Sequence, residues 1–191
     1  MAKIIVTGTP GSGKSTVLAK LSGIEIVTFS SELLKLLAER GITDRDQVRR
    51  VPYPVTVEIR RKAIEKLNSM NGDMLIDTHA SVKKGIRYIP GFSTADLGVM
   101  EDVKGIIYID AHANDILLRR ILDKTRKRDA DSEEEIKEQR RINAALVASY
   151  ALYLDVPMYI IMNRQDMIEK AVEDTKKAIN DALGKGEFMF E

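Results

Sequence analysis

Short runs of consecutive apolar residues alternate along this chain with longer stretches in which apolar positions recur every three or four residues. KIIVT (3–7), IEIVTF (24–29), MLID (74–77), GIIYID (105–110) and MYIIM (158–162) are too short for buried helices and read as strands apolar on both faces. Between them the period is helical. One helix is expected from about Lys14 to Leu21, and a second is opened by Ser30 or Ser31 and closed by Gly41. A short helix over 44–51 stops at Pro52, and another from Pro54 to Met70 carries Ile59, Ala63, Leu67 and Met70 on one stripe. Asn114 is expected to cap a helix running to about Thr125. Ser132 and Glu135 form a capping box for a long helix to about Tyr153. Asp166 and Glu169 are expected to open a last helix that buries Ile168, Val172, Thr175, Ile179 and Leu183 and ends at Gly184. A glycine-containing loop is expected over roughly 80–93.

Strands that alternate with helices and are apolar on both faces predict an α/β fold with a parallel sheet covered on both sides. Ligands on such sheets lie beyond the carboxyl ends of the strands. No repeat, linker or low-complexity tract divides the 191 residues, which read as a single domain.

Composition narrows the function by exclusion. The formal net charge is +1, so no global field draws the chain to nucleic acid or to a membrane. There is no cysteine, which excludes disulfides and thiolate metal sites. MAKIIVTG runs directly into strand pattern without a signal peptide's apolar stretch, and no apolar run reaches membrane-spanning length. The expectation is a soluble cytoplasmic protein.

The chemistry starts at the first turn. Gly8-Thr9-Pro10-Gly11-Ser12-Gly13-Lys14-Ser15 matches G-x-x-x-x-G-K-[ST], with a strand before it and a helix after it. Glycines let successive N–H groups turn inward around an anion, and the helix N-terminus adds its positive dipole end. Lys14 can reach the β- and γ-phosphates of ATP, Ser15 can offer its hydroxyl to Mg²⁺, and Thr16 lies one step further along the helix. Asp77 ends the third strand, where a carboxylate can hold a magnesium-bound water or merely cap a loop. His79 can bond a phosphate or orient its loop.

Arg119, Arg120, Lys124, Arg126, Lys127 and Arg128 crowd one helix end and the polar break after it. A helix C-terminus favours a cation or two; six suit a site that gathers several phosphates, where catalysis is charge neutralisation and alignment. A flap bearing Arg126 and Arg128 could close over such a site, with Arg140 and Arg141 on the next helix. Among the cations between the second and third strands, Arg49 sits between loops that can open onto the site.

VTGTPGSGKST, DRDQVRRVP, IDTHASVKKGIRYIPGF, RRILDKTRKRD and NAALVASY together resemble the archaeal-type adenylate kinases, P-loop nucleoside monophosphate kinases, from about Lys3 to Leu183. The resemblance implies a three-layer α/β/α fold with a five-stranded parallel sheet, an NMP-binding arm over about 30–70 and a short lid over about 126–132. It implies magnesium-dependent phosphoryl transfer from ATP to AMP, giving two ADP, and assembly into trimers. Gly8 to Ser15 would cradle ATP, with Asn163 near its adenine. Ser30 and Arg49 in the arm, with Asp77, His79 and Lys83, would face the second nucleotide. Arg120, Arg126 and Arg128 would clamp the transferring group from the lid. Thr56 and Val57 stand where the family pattern expects a Gln-Arg pair, with Arg60 nearby.

Three other readings compete. Asn163-Arg164-Gln165-Asp166 imitates the N-K-x-D guanine motif of a GTP-binding switch, although Asp166 also suits a helix cap. A kinase of another monophosphate or small acceptor shares the same loop. A nucleotide sensor without turnover would use the arginines structurally.

Overall fold

The computed structural model describes residues 1–43, 51–123 and 132–185, and of Tyr53 the backbone alone. The elements in chain order are β1 (Lys3–Gly8), α1 (Lys14–Ala19), β2 (Glu25–Thr28), α2 (Phe29–Ala38), α3 (Tyr53–Ser69), β3 (Met74–Asp77), β4 (Ser81–Lys84), β5 (Arg87–Pro90), α4 (Thr94–Gly98), β6 (Val103–Asp110), α5 (Ala113–Leu122), α6 (Glu133–Leu154), β7 (Met158–Met162) and α7 (Ile168–Ala182).

The five apolar runs pair in parallel in the order β2-β3-β1-β6-β7. β1 lies at the centre and is buried at every position. Side chains alternate between faces along each strand. Ile5, Ile76, Ile106 and Tyr108 pack under Phe29, Ile64, Leu67, Val147 and Tyr150 from α2, α3 and α6. Ile4, Val6, Leu75, Ile107 and Ile109 pack under Val17, Leu18, Val172 and Ile179 from α1 and α7. This is the three-layer architecture expected from the apolar pattern. The connection from β1 leaves toward β2, whereas that from β3 leads across the sheet to β6. Their carboxyl ends therefore flank a topological switch point, where a parallel sheet opens a crevice for a ligand.

Several local expectations are corrected. Ser30 and Ser31 are not caps: α2 begins at Phe29 after Thr28, which makes no side-chain cap bond. Its far end does close at Gly41, where φ is +77°. There Gly41 N–H donates to the Ala38 carbonyl and Ile42 N–H to that of Leu37, the paired bonds of a left-handed helix stop. Asn114 lies inside the first turn of α5, whose N-cap is His112. Asp166 precedes the N-cap Met167 of α7 and takes a φ of +57°. The capping box of Ser132 and Glu135 is present as expected.

The segment expected as a loop holds an antiparallel hairpin, β4–β5, separate from the main sheet. Its two-residue turn, Gly85-Ile86, begins with Gly85 at φ +58°, the left-handed start such turns need. α4 follows, opened by a second capping box between Ser93 and Asp96. The short helix over 44–51 and the lid segment before Ser132 lie outside the described residues. Among the described residues no helix is long and apolar enough to cross a membrane.

Candidate active site

The turn after β1 is held from behind. Arg119 on α5 donates from Nη1 to the Ser12 carbonyl (3.0 Å) and from Nη2 to the Asn163 carbonyl (3.1 Å). Arg120 donates from Nε to the Pro10 carbonyl (3.0 Å) and from Nη2 to Gln139 Oε1 (2.8 Å). Asn163, 4% exposed beyond β7, donates its amide to the Ser12 carbonyl at 2.8 Å. Carbonyls pulled outward leave the peptide N–H groups on the inner side, where the first amides of α1 have no intrahelical partner. Backbone conformation serves the same end. Gly11 and Gly13 have φ of +93° and +88°, and a side chain at Gly8 would run into the Ile109 carbonyl. The result is an anion cradle.

Thr9 anchors the loop to the core through its side chain. Its hydroxyl lies 2.7 Å from Tyr108 OH and accepts from Asn143 Nδ2 at 3.3 Å, while Ser81 Oγ donates to Asn143 Oδ1 at 2.6 Å. All four side chains are buried. Burial, with the Asp110 carboxylate nearby, pushes the Tyr108 phenol far above its ordinary pKa, so it stays a neutral hydrogen-bonding group.

Lys14, the first residue of α1, forms an ion pair with Asp77 at the end of β3. Thr28 at the end of β2 reaches the other Asp77 oxygen at 3.4 Å. Two strand ends and the start of α1 thus converge on one carboxylate and one ammonium. They open into a cleft of about 760 Å³ that runs from the glycine loop, Arg119 and Asp123 across to α2, His79 and the hairpin.

Arg60 of α3 forms the far wall of this cleft. It donates from Nε (3.0 Å) and Nη2 (2.7 Å) to Asp96 Oδ2, and its Nη2 also reaches the Gly91 carbonyl. Its guanidinium lies over the Phe29 ring at 5.3 Å and the Phe92 ring at 6.0 Å. Burial pushes the Asp96 carboxyl up, but the bonds from Arg60 and Ser93 outweigh it and hold the group below the usual carboxylate range. A charged, oriented guanidinium is therefore fixed beside the apolar core.

Of the residues singled out from sequence, Gly8, Thr9, Pro10, Gly11, Gly13, Lys14, Ser15, Thr16, Ser30, Asp77 and His79 line this one cleft. Ser12 is buried beneath the loop. Asn163 and Arg120 stand behind it, which corrects the placement of Arg120 on the lid: it belongs to the last turn of α5. Lys83 faces α6, with Glu135 at 3.4 Å. Arg140 is directed to Asp110 at the end of β6 (2.8 Å), and Arg141 is exposed on α6. Arg49, Arg126 and Arg128 lie outside the described residues. Sequence reasoning did not single out Phe29 or the hairpin, and saw Arg119 only as one cation in a crowd. The signal for Arg119 was its place one turn from the helix end beside Arg120.

A glycine cradle at a switch point, a lysine on its first helical turn and a carboxylate at the neighbouring strand end define a P-loop phosphotransferase. The AAA domain family model matches residues 7–137. An adenylate kinase of Thermoplasma acidophilum is 35% identical over 92% of this chain and 97% of its own length. One from Methanothermobacter thermautotrophicus is 31% identical over 94% of this chain and all of its own. The chain belongs to this P-loop family and, within it, to the adenylate kinases. The fold is shared more widely: a shikimate kinase from Acinetobacter baumannii superposes with a TM-score of 0.57 at 18% identity, covering 95% of this chain and 94% of that one.

Proposed function

We infer that this enzyme transfers the γ-phosphoryl group of ATP to the phosphate of AMP, reversibly, giving two ADP. The observation that carries this reading is the cleft itself: one end is a triphosphate cradle, and the other, across Asp77, ends on the fixed guanidinium of Arg60. Kinship with the adenylate kinases supports AMP as the acceptor.

Residue roles follow from position. The loop amides and Lys14 hold the β- and γ-phosphates, and Lys14 exchanges its Asp77 partner for them as the triphosphate enters. Arg119, Arg120 and Asn163 keep the cradle open by holding its carbonyls outward. Arg60, with His79 at the cleft wall, receives the acceptor phosphate. By the family resemblance, and not by position, Arg49 would join Ser30 on the acceptor side and Arg126 and Arg128 would neutralise charge on the transferring group. An oxygen of the AMP phosphate attacks the γ-phosphorus in line as the bond to the β-phosphate oxygen breaks, and ADP leaves. The attacking oxygen already carries negative charge, so no general base is needed.

The site fits Mg²⁺. Ser15 offers an exposed hydroxyl and Asp77 a carboxylate on the same cleft, both hard oxygen donors. One hydroxyl and one carboxylate are as many protein oxygens as Mg²⁺ needs where water and substrate phosphate complete its shell. When bound, it supplies charge neutralisation across the β- and γ-phosphates.

The guanine-switch reading is not favoured: the relatives that match along most of the chain are adenylate kinases. A coupled assay of ATP against AMP, CMP, UMP and GMP tests the proposal. ADP formation dependent on AMP and fastest with it is expected; ATP loss independent of every acceptor contradicts it. The trimer implied by resemblance predicts three times the chain mass of 21.4 kDa in static light scattering, and a mass equal to one chain rules it out.

A further inference from the structure

Helix α6 gives the core a stripe that is mostly polar. Gln139, Asn143, Val147 and Tyr150 follow one another at helical spacing, and all are buried. Buried polar groups are unfavourable unless they are hydrogen-bonded, and each of the three polar ones reaches an element that borders the cleft. Gln139 Oε1 accepts from Arg120, which holds the Pro10 carbonyl of the glycine loop. Asn143 bonds in two directions: its Nδ2 donates to Thr9 of that loop at 3.3 Å, and its Oδ1 accepts from Ser81, the first residue of β4, at 2.6 Å. Tyr150 OH donates to the Ala80 carbonyl at 3.2 Å and accepts from Phe92 N–H at 3.3 Å, so it clasps the base of the hairpin. Gly91 belongs to that base, with its N–H on the Ala80 carbonyl, and its own carbonyl anchors Arg60. A contiguous path thus runs from Arg60 through Gly91, Ala80 and Ser81 to Asn143, and from there to Thr9 in the cradle.

We propose that Asn143 is a positioning residue for phosphoryl transfer: it fixes the glycine loop and the hairpin base relative to each other, and so sets how the two phosphates face. This rests on the kinase reading above. Asn143 is buried and does not line the cleft, so it acts through Thr9 and Ser81. Each half-site has its own supports. The cradle is held by Arg119, Arg120 and Asn163, and Arg60 is held by Asp96. Loss of the bridge therefore leaves the contacts of each nucleotide in place and disturbs their mutual register. In-line transfer depends on that register, and a displacement of about 1 Å caused away from the chemistry can cost about a hundredfold in rate. An apolar residue of the same size would fill the space without desolvating an amide, which points to register rather than packing as what the amide supplies.

Two variants cut the bridge. Asn143→Leu removes both bonds, and Ser81→Ala removes the bond to the hairpin while leaving the one to Thr9. Ser149→Ala is the control, an exposed hydroxyl on the same helix that donates to the Leu146 carbonyl. The readouts are the rate of ADP formation from ATP and AMP in a single turnover, and the Kd of ATP and of AMP, each titrated alone by calorimetry. Asn143→Leu is expected to slow transfer about a hundredfold and Ser81→Ala about tenfold, with each Kd within about threefold of wild type. The double variant should be no slower than Asn143→Leu alone, and the control should change nothing. Where the wild type makes ADP from AMP, Ser81→Ala that transfers within about twofold of its rate overturns this assignment alone, whether or not Asn143→Leu folds. So does a parallel weakening of both nucleotides, which a merely structural role would give. A wild-type enzyme that makes no ADP from AMP overturns the kinase reading and this role with it.

Discussion

Lys14 and Asp77 meet because β1 and β3 are neighbours in the sheet although 63 residues separate them in sequence. Replacing Lys14 by Met removes the only charged member of the glycine loop. The expected result is a fall in kcat of about a thousandfold or more, the scale lost when a site loses a main charge-stabilising donor. Steady-state kinetics check it, and retention of kcat would show that Lys14 does not serve the transferring group. Arg60 gives a second prediction. Lysine cannot reach both Asp96 and the Gly91 carbonyl while stacking on two rings. Arg60→Lys should therefore raise KM for AMP by about tenfold and leave KM for ATP unchanged, because a fixed fork is replaced by a mobile point charge. Lys14 was legible in the sequence because its neighbours carry the motif. Arg60 was visible only as a cation near an expected Gln-Arg pair; its partner, Asp96, lies 36 residues away and no spacing ties the two. Arg120 was read as a lid cation and Asn163 as a neighbour of the adenine, but their hydrogen bonds go to carbonyls of the glycine loop, and spacing alone does not say which loop a side chain reaches.

At the scale of elements, the strands were legible because each is apolar on both faces, and the helices because their stripes hold the helical period. Helix starts were less so. Ser132 is a true cap because its side chain accepts from Glu135 N–H, whereas α2, α5 and α7 begin after Thr28, His112 and Met167 without side-chain caps. Packing of Phe29 and Ile116 in the core sets where α2 and α5 start, and the nearby Ser and Asn residues fall inside the first turn. Ser132→Ala should cost about 1 kcal/mol by chemical denaturation, whereas Asn114→Ala, at a site with no cap bond, should cost much less. The hairpin escaped sequence reasoning because its apolar face meets the cleft, so its alternation is broken by Lys and Pro. Gly91 closes its base: its N–H donates to the Ala80 carbonyl at 2.8 Å, and a Cβ there would collide with the His79 carbonyl. Gly91→Ala should lower stability by about 1–3 kcal/mol, the cost of overpacking against backbone, and should shift the loop that carries His79. An unchanged Tm would show that the hairpin junction yields without cost.

Over the whole molecule, the order β2-β3-β1-β6-β7 puts Thr28 and Asp77 on one side of β1 and Asn163 on the other; in the proposed reaction these are the acceptor and donor sides. That order was read from the strand-helix alternation only as a parallel sheet; register and neighbours depend on which faces fit, which a list of apolar runs does not contain. Charge also acts at this scale. Hydrogen bonds from Lys35 and Lys66 hold the Glu32 carboxyl below its ordinary value, those from Ala2 N–H and Lys185 do so for Asp73, and those from Arg60 and Ser93 prevail over burial for Asp96. Groups whose folded pKa is depressed contribute stability above the unfolded value and lose it as pH falls through the folded one. Tm measured by calorimetry should thus be nearly flat near neutrality and fall as pH drops below about 4, the ordinary carboxyl range. A Tm independent of pH down to strong acid would remove these pairs from the account.

Two nucleotides meeting in one cleft, phosphate to phosphate across Lys14 and Asp77, is the claim most directly open to measurement. Isothermal titration with a mimic that joins two adenosines through a phosphate chain long enough to span both sites decides it. The expected result is one mimic per chain, with binding of both ATP and AMP abolished once it is seated. Two mimics per chain, or AMP that still binds after ATP has been displaced, would contradict it.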